Sequence, residues 1–155
     1  MTIGRKEDIT YTLLLITPVL LYTSMGADPL YTSAWYLLGV PVVTLLSGLL
    51  LRAPPLFLTG TTAAALASLL IYVAIQSSLS RPDGLLALGH LFSLPGLLAG
   101  AGVSAWLLRH GMKASLPWRV AGVAFLGAAG GFMVAQMIVC NTLMYCAALS
   151  IVSAR

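Results

Sequence analysis

Few side chains in this sequence are equipped for chemistry. His90 is the one imidazole set inside a long apolar stretch, and Gln136 and Asn141 are amides in a later one. An imidazole can titrate near neutral pH or ligate a metal. Amides donate and accept hydrogen bonds at once. On helices rising about 1.5 Å per residue, the three reach similar depths. They form the candidate polar intramembrane cluster. The competing reading is interhelical hydrogen bonding that fixes helix register. A bis-histidine haem site would need a second histidine within a span. The other histidine, His110, follows Arg109 outside the apolar run.

Cys140 and Cys146 are the only cysteines. In one continuous helix, a six-residue separation places them about 9 Å apart along the axis. A disulfide needs Cα atoms within about 7 Å. Two buried small hydrophobic side chains are therefore expected, with a disulfide open only if the helix ends near Asn141–Thr142. The spacing is neither a CxxC redox pair nor a zinc-ligand set. Thr59, Thr61 and Thr62 are expected to bond back to their own helix carbonyls, with a small polar cavity as the alternative. There is no phosphate-binding loop, dinucleotide fingerprint, HExxH helix or nucleophile elbow. No catalytic, cofactor-binding or metal-binding residue is assigned, and no enzyme activity is expected. A thiol-based or lipid-modifying enzyme is the least supported reading.

The elements that must position these residues follow from the distribution of charge. Of 155 residues, 59% are hydrophobic and 8% charged, with a mean hydropathy of +0.98. A soluble domain carries about 25% charge, so soluble enzymes, nucleic-acid-binding modules and disordered tails are excluded. The charges leave five uncharged runs, Ile9–Ala27, Pro29–Leu51, Ala53–Ser80, Gly84–Leu108 and Val120–Ala154. Each approaches or exceeds the roughly 20 residues needed to cross a bilayer. The expected fold is all-α: a polytopic transmembrane helical bundle forming a single integral membrane domain over 1–155. Its helices are expected at Thr10–Met25, Ala34–Leu51, Leu56–Gln76, Leu85–Leu108 and Val120–Leu149. The last is long enough to tilt, or to kink near Gly130–Gly131. A four-helix bundle is the alternative, with the first run cleaved, re-entrant or interfacial. That run resembles a signal peptide, but Glu7 and Asp8 spoil its basic leader.

Basic residues orient the bundle. With the N-terminus inside, the inner segments carry Arg5, Lys6, Arg52, Arg109, Lys113 and Arg119; the outer ones carry Arg81 and Arg155. This bias predicts N-in and C-out. Tyr31, Trp35, Tyr36, Trp106 and Trp118 fall at predicted helix ends and read as interfacial anchors. Pro18, Pro41 and Pro95 fall inside predicted helices, where kinks are expected. A loose echo, Leu49–Arg52 before Pro54–Pro55 and Trp106–Arg109 before Pro117, raises an internal repeat, although any hairpin closing on arginine looks similar.

Small residues at four-residue spacing let membrane helices approach closely. Three such stripes form the candidate packing interface: Gly60, Ala64 and Ser68; Gly96, Gly100 and Ser104; Gly127, Gly131 and Ala135. At least two are expected inside the bundle, and the third could receive a partner helix or a second copy. The expected function is contact with a membrane partner in the inner (plasma) membrane of a bacterium. Such a chain would be an accessory or assembly subunit, or an immunity-type protector against a membrane-inserting toxin. The alternative is a small-solute or ion transporter or channel acting as an oligomer. The expected surroundings are the lipid bilayer and another membrane protein, with no cofactor and no nucleic acid.

Overall fold

The structure, a computed structural model, describes residues 4–24, 34–51, 53–79, 84–110 and 116–143. Five α-helices follow in order: α1 Arg5–Ser24, α2 Ala34–Leu50, α3 Phe57–Ser78, α4 Gly84–His110 and α5 Pro117–Ile138. A π-helical turn, Val139–Leu143, continues α5. There is no strand among the described residues. Three segments are long and apolar enough to cross a membrane: Phe57–Ser78, Ala87–His110 and Pro117–Thr142. The apolar helix Trp35–Leu50 is shorter.

Burial is inverted relative to a soluble protein. Thr12, Thr44, Thr61, Ser68, His90, Ser93 and Ser104 are buried, whereas Leu14, Leu70, Leu126 and Met133 are more than 60% exposed. A helix in hydrocarbon satisfies its backbone internally and turns its remaining polar groups toward its neighbours. In keeping with this, Trp35, Trp106 and Trp118 face outward.

Helix directions follow from the contacts. Gly60 of α3 lies against Ala121 of α5, and Tyr72 of α3 against Phe132 of α5, so α3 and α5 run parallel. Gly96 meets Gly131 and Ala135, while Gly100 meets Gly127, so α4 runs antiparallel to α5. Gly48 of α2 abuts Leu58 of α3. The bundle alternates up and down, with α3 at its centre: 56% of α3 is buried, against 33% of α4 and of α5.

Predicted boundaries at the first and last helices are corrected. The first helix begins at Arg5, not Thr10, because Glu7 and Asp8 occupy its first turn. Acidic side chains there favour the positive end of the helix dipole. The last helix passes through Gly130–Gly131 as α-helix and leaves α geometry at Val139. Its predicted extension beyond Leu143 lies outside the described residues, as do Tyr31, Arg52 and Lys113. The last helix also starts earlier than the expected Val120: Pro117 opens α5, at a position whose amide needs no helical partner. Pro18, Pro41 and Pro95 lie within α1, α2 and α4.

The start of α3 is built unusually. Pro54–Pro55 provide no capping side chain, and Leu56 adopts a left-handed conformation with φ 68° and no side-chain cap. That conformation costs a non-glycine residue about 1–2 kcal/mol. The cap comes from another helix. Asp8 of α1, 1% exposed, accepts the Leu58 amide at 3.2 Å, the Thr59 amide at 2.9 Å and the Thr59 hydroxyl at 2.6 Å. Arg5 donates to the Leu49 carbonyl at the end of α2. A carboxylate thus meets the positive end of α3, and a guanidinium the negative end of α2.

Candidate functional site: a buried polar layer

All three small-residue stripes turn inward. Those of α4 and α5 face each other: a Cβ at Gly100 would fall on the Gly127 carbonyl oxygen, and one at Gly131 on the Gly96 carbonyl oxygen. Ser104 lies against Gly127 and bonds the Gly100 carbonyl at 2.6 Å. On α3, Gly60 touches the Ala121 backbone, Ala64 is buried, and Ser68 reaches His90. The expected spare stripe is therefore not one of these three. The glycines with open space beside them are different ones. Gly122 and Gly130 lie on the exposed face of α5, with nothing within 4 Å of an added Cβ.

His90 is 0% exposed and is held from two sides. Its Nδ1 pairs with the Tyr36 hydroxyl of α2, and its Nε2 lies 3.0 Å from Ser68 Oγ of α3. The Ser68 hydroxyl has one hydrogen and donates it to the Ala65 carbonyl at 2.8 Å. With that hydrogen so placed, Ser68 accepts from Nε2–H of His90 and Nδ1 accepts from the Tyr36 hydroxyl, a tautomer assigned from the bonding pattern. Tyr72 and Phe132 close the remaining sides, with ring centroids 4.6 Å and 5.0 Å away. One imidazole thereby joins α2, α3, α4 and α5. Ser68 lies midway along α3, so this junction is deep in the bundle.

Gln136 extends the layer. It accepts from Ser93 Oγ at 2.7 Å and donates to Cys140 Sγ at 2.7 Å. Ser93 also reaches the Gly89 carbonyl at 2.8 Å. The Tyr72 hydroxyl faces Gln136 without a hydrogen bond of normal geometry. His90 and Gln136 thus share one layer through α3 and α4. Neither bond set includes Asn141, whose amide nitrogen bonds the Met137 carbonyl of its own helix at 2.7 Å.

The cysteine expectation is corrected. Cys140 is disulfide-bonded; Cys146, the only other cysteine in the chain, lies outside the described residues. Spacing argued against a bridge only for a continuous α-helix, and α geometry ends at Ile138. The three threonines divide. Thr61 bonds back to Phe57 and Leu58, Thr59 serves Asp8, and the Thr62 hydroxyl is buried without a partner. His110 ends α4, stacked on Trp106 and bonded to its carbonyl.

Sequence reasoning missed three participants. Tyr36 read as an interfacial anchor, Asp8 as a flanking charge, and Gln76 attracted no notice. Both amide atoms of Gln76 are buried and unpartnered. Among the described residues, no three metal-binding side chains come together. No protein-family model, curated protein or solved structure matches the chain.

Proposed function

We propose that this chain is a five-span inner-membrane protein, N-in and C-out, that acts through helix contacts with another membrane protein. It would serve as an accessory or assembly subunit, or as an immunity-type protector. The observation carrying this reading is where reactive and small groups lie. His90 is enclosed with both ring nitrogens engaged, so its role is to hold four helices together. The free face of α5 presents Gly122 and Gly130, with Leu126 between them, to the bilayer. Open glycine notches among apolar side chains suit a partner helix, because they permit close backbone approach.

Orientation has its own support. Asp8 and Arg5 tie the start of α1 to the end of α2 and the start of α3. The up–down arrangement then puts Arg109 and Arg119 at that same end. Basic residues gathered at one end favour the cytoplasmic side. The disulfide at Cys140 falls toward the opposite end, which fits an oxidising compartment. The Asp8 cap also favours retention of α1, because its loss would uncap α3.

The reading is tested by a photo-crosslinking residue placed at Gly130, with Leu46 on the exposed side of α2 as control. One adduct of defined mass from Gly130 alone, weakened by Gly122→Leu, supports it. Adducts independent of position, or none, refute it.

The second reading, a small-solute or ion transporter working as an oligomer, rests on the depth of the His90 layer and on the three prolines within helices. Liposome flux that falls with His90→Ala would favour it.

A further inference from the structure

Three grooves open on the apolar circumference; the one between α4 and α5 runs along the glycine seam at Gly100 and Gly127, and the other two, both bordered by α3, differ in one respect. The groove of 660 Å³ between α1, α2 and α3 is walled by residues such as Leu15, Val19 and Leu66, and its one hydroxyl belongs to the exposed Tyr22. The groove of 380 Å³ between α3 and α5 has apolar walls at Ile71, Phe125, Met133 and Met137, but its lining includes Ser68, Tyr72 and Gln136. Ser68 and Gln136 have partners inside the protein. The Tyr72 hydroxyl does not, although Tyr72 is only 2% exposed. One turn further along α3, just beyond the residues that line the groove, both amide atoms of Gln76 are buried and unpartnered. Residues four apart on a helix are neighbours. Unpartnered donors and acceptors at membrane depth are among the costliest arrangements a helix can hold.

We propose that the α3–α5 groove binds an uncharged, single-chain lipid whose head group carries hydroxyl or carbonyl oxygens. The head group meets Tyr72 and Gln76, which together offer donors and an acceptor. The chain lies against Ile71, Phe125, Met133 and Met137. Three observations select this class. The buried groups offered to the head group, the Tyr72 hydroxyl and the Gln76 amide, are themselves uncharged hydrogen-bonding groups. The volume is at the small end of ligand pockets, about 300–1,000 Å³, which suits one chain. Met133 and Met137 are 63% and 56% exposed, so the groove opens sideways to the bilayer, and methionine adapts to an irregular chain.

The test uses the full chain in maltoside detergent, unfolded by heat with one of three lipids sharing an oleoyl chain. Monooleoylglycerol is uncharged, oleate anionic and lysophosphatidylcholine zwitterionic. Monooleoylglycerol alone should raise the wild-type midpoint, by several degrees at saturation. The double variant Tyr72→Phe, Gln76→Met keeps the shapes and removes the polar atoms. It should unfold cooperatively, at or above the wild-type midpoint, and lose the response. Leu15→Ala, in the groove between α1, α2 and α3, should keep it. The proposal is overturned by no wild-type response, by equal responses to the three lipids, or by a full response in the double variant.

Discussion

The two ends of α3 are finished in opposite ways. At its start, a buried carboxylate from α1 accepts two backbone amides and a hydroxyl. Toward its end, the Leu79 amide bonds the Gln76 carbonyl, yet the Gln76 side chain has no partner and the Tyr72 hydroxyl has none either. At each end some backbone groups are capped, the Leu58 and Thr59 amides by Asp8 and the Gln76 carbonyl by the Leu79 amide. The side chains differ. The first end is closed by the chain's own residues and reads as architecture. The second leaves hydrogen-bonding capacity unused within the protein, and the lipid site proposed above would draw on it.

Breaking the closed end should have the largest effect. Asp8→Ala leaves the amides of Leu58 and Thr59 without acceptors beside a left-handed Leu56. Loss of a cap and of charge-assisted bonds should cost about 3 kcal/mol. Thermal unfolding in detergent measures this, and Asp8→Asn, which keeps one acceptor oxygen, should lose roughly half as much. An Asp8→Ala protein as stable as wild type would mean that the two ends do not differ as described.

The seam between α4 and α5 comes next. A methyl group at Gly100 meets a carbonyl oxygen of the facing helix, and backbone yields poorly. Gly100→Ala should cost about 2 kcal/mol by overpacking. Gly102 is two residues away, with nothing within 4 Å, and Gly102→Ala should gain up to about 1 kcal/mol from helix propensity. Equal midpoints for the two variants would show that the stripes are not in backbone contact.

A smaller effect is expected in the His90 layer. Tyr36→Phe removes the donor to Nδ1 while keeping the ring against His90. Interhelical hydrogen bonds in membranes average about 0.6 kcal/mol, so a loss of about 1 kcal/mol is expected. Because α2 is tied to α4 here, limited proteolysis should cut the α2 end of Tyr36→Phe faster than that of wild type.

What the sequence disclosed follows from how local each signal is. Uncharged runs and small-residue spacing are local, so the five helices and three stripes were readable. Which stripe meets which was not, because all three share one spacing. Asp8, Thr12 and Ile16 repeat every four residues and are all buried, a pattern that marks α1 as packed from its first turn. The charge at Asp8 obscured it, because its partner lies 50 residues away. A missing cap before Phe57 was the one available hint. Tyr36 was legible as an amphipathic ring but not as a partner of His90. The departure from α geometry at Val139 has no signature in residue type that we can name, and the cysteine expectation failed there.

The finest comparison sets two glutamines under one substitution. Gln76 and Gln136 are both buried amides in apolar helices, 6% and 9% exposed. Gln136 spans Ser93 and Cys140; Gln76 touches no polar partner. Methionine matches glutamine in length and carries no strong hydrogen-bonding group. Gln136→Met should therefore cost about 1 kcal/mol, the usual net worth of a satisfied pair. Gln76→Met should be neutral or gain up to about 1 kcal/mol, since replacing an unsatisfied polar group with an apolar one of similar shape removes a desolvation penalty. The signs, more than the sizes, decide the matter, and unfolding of both variants in lipid-free detergent reads them directly. If both substitutions destabilise equally, Gln76 has a partner within the protein, and the contrast between the two ends of α3 disappears with it.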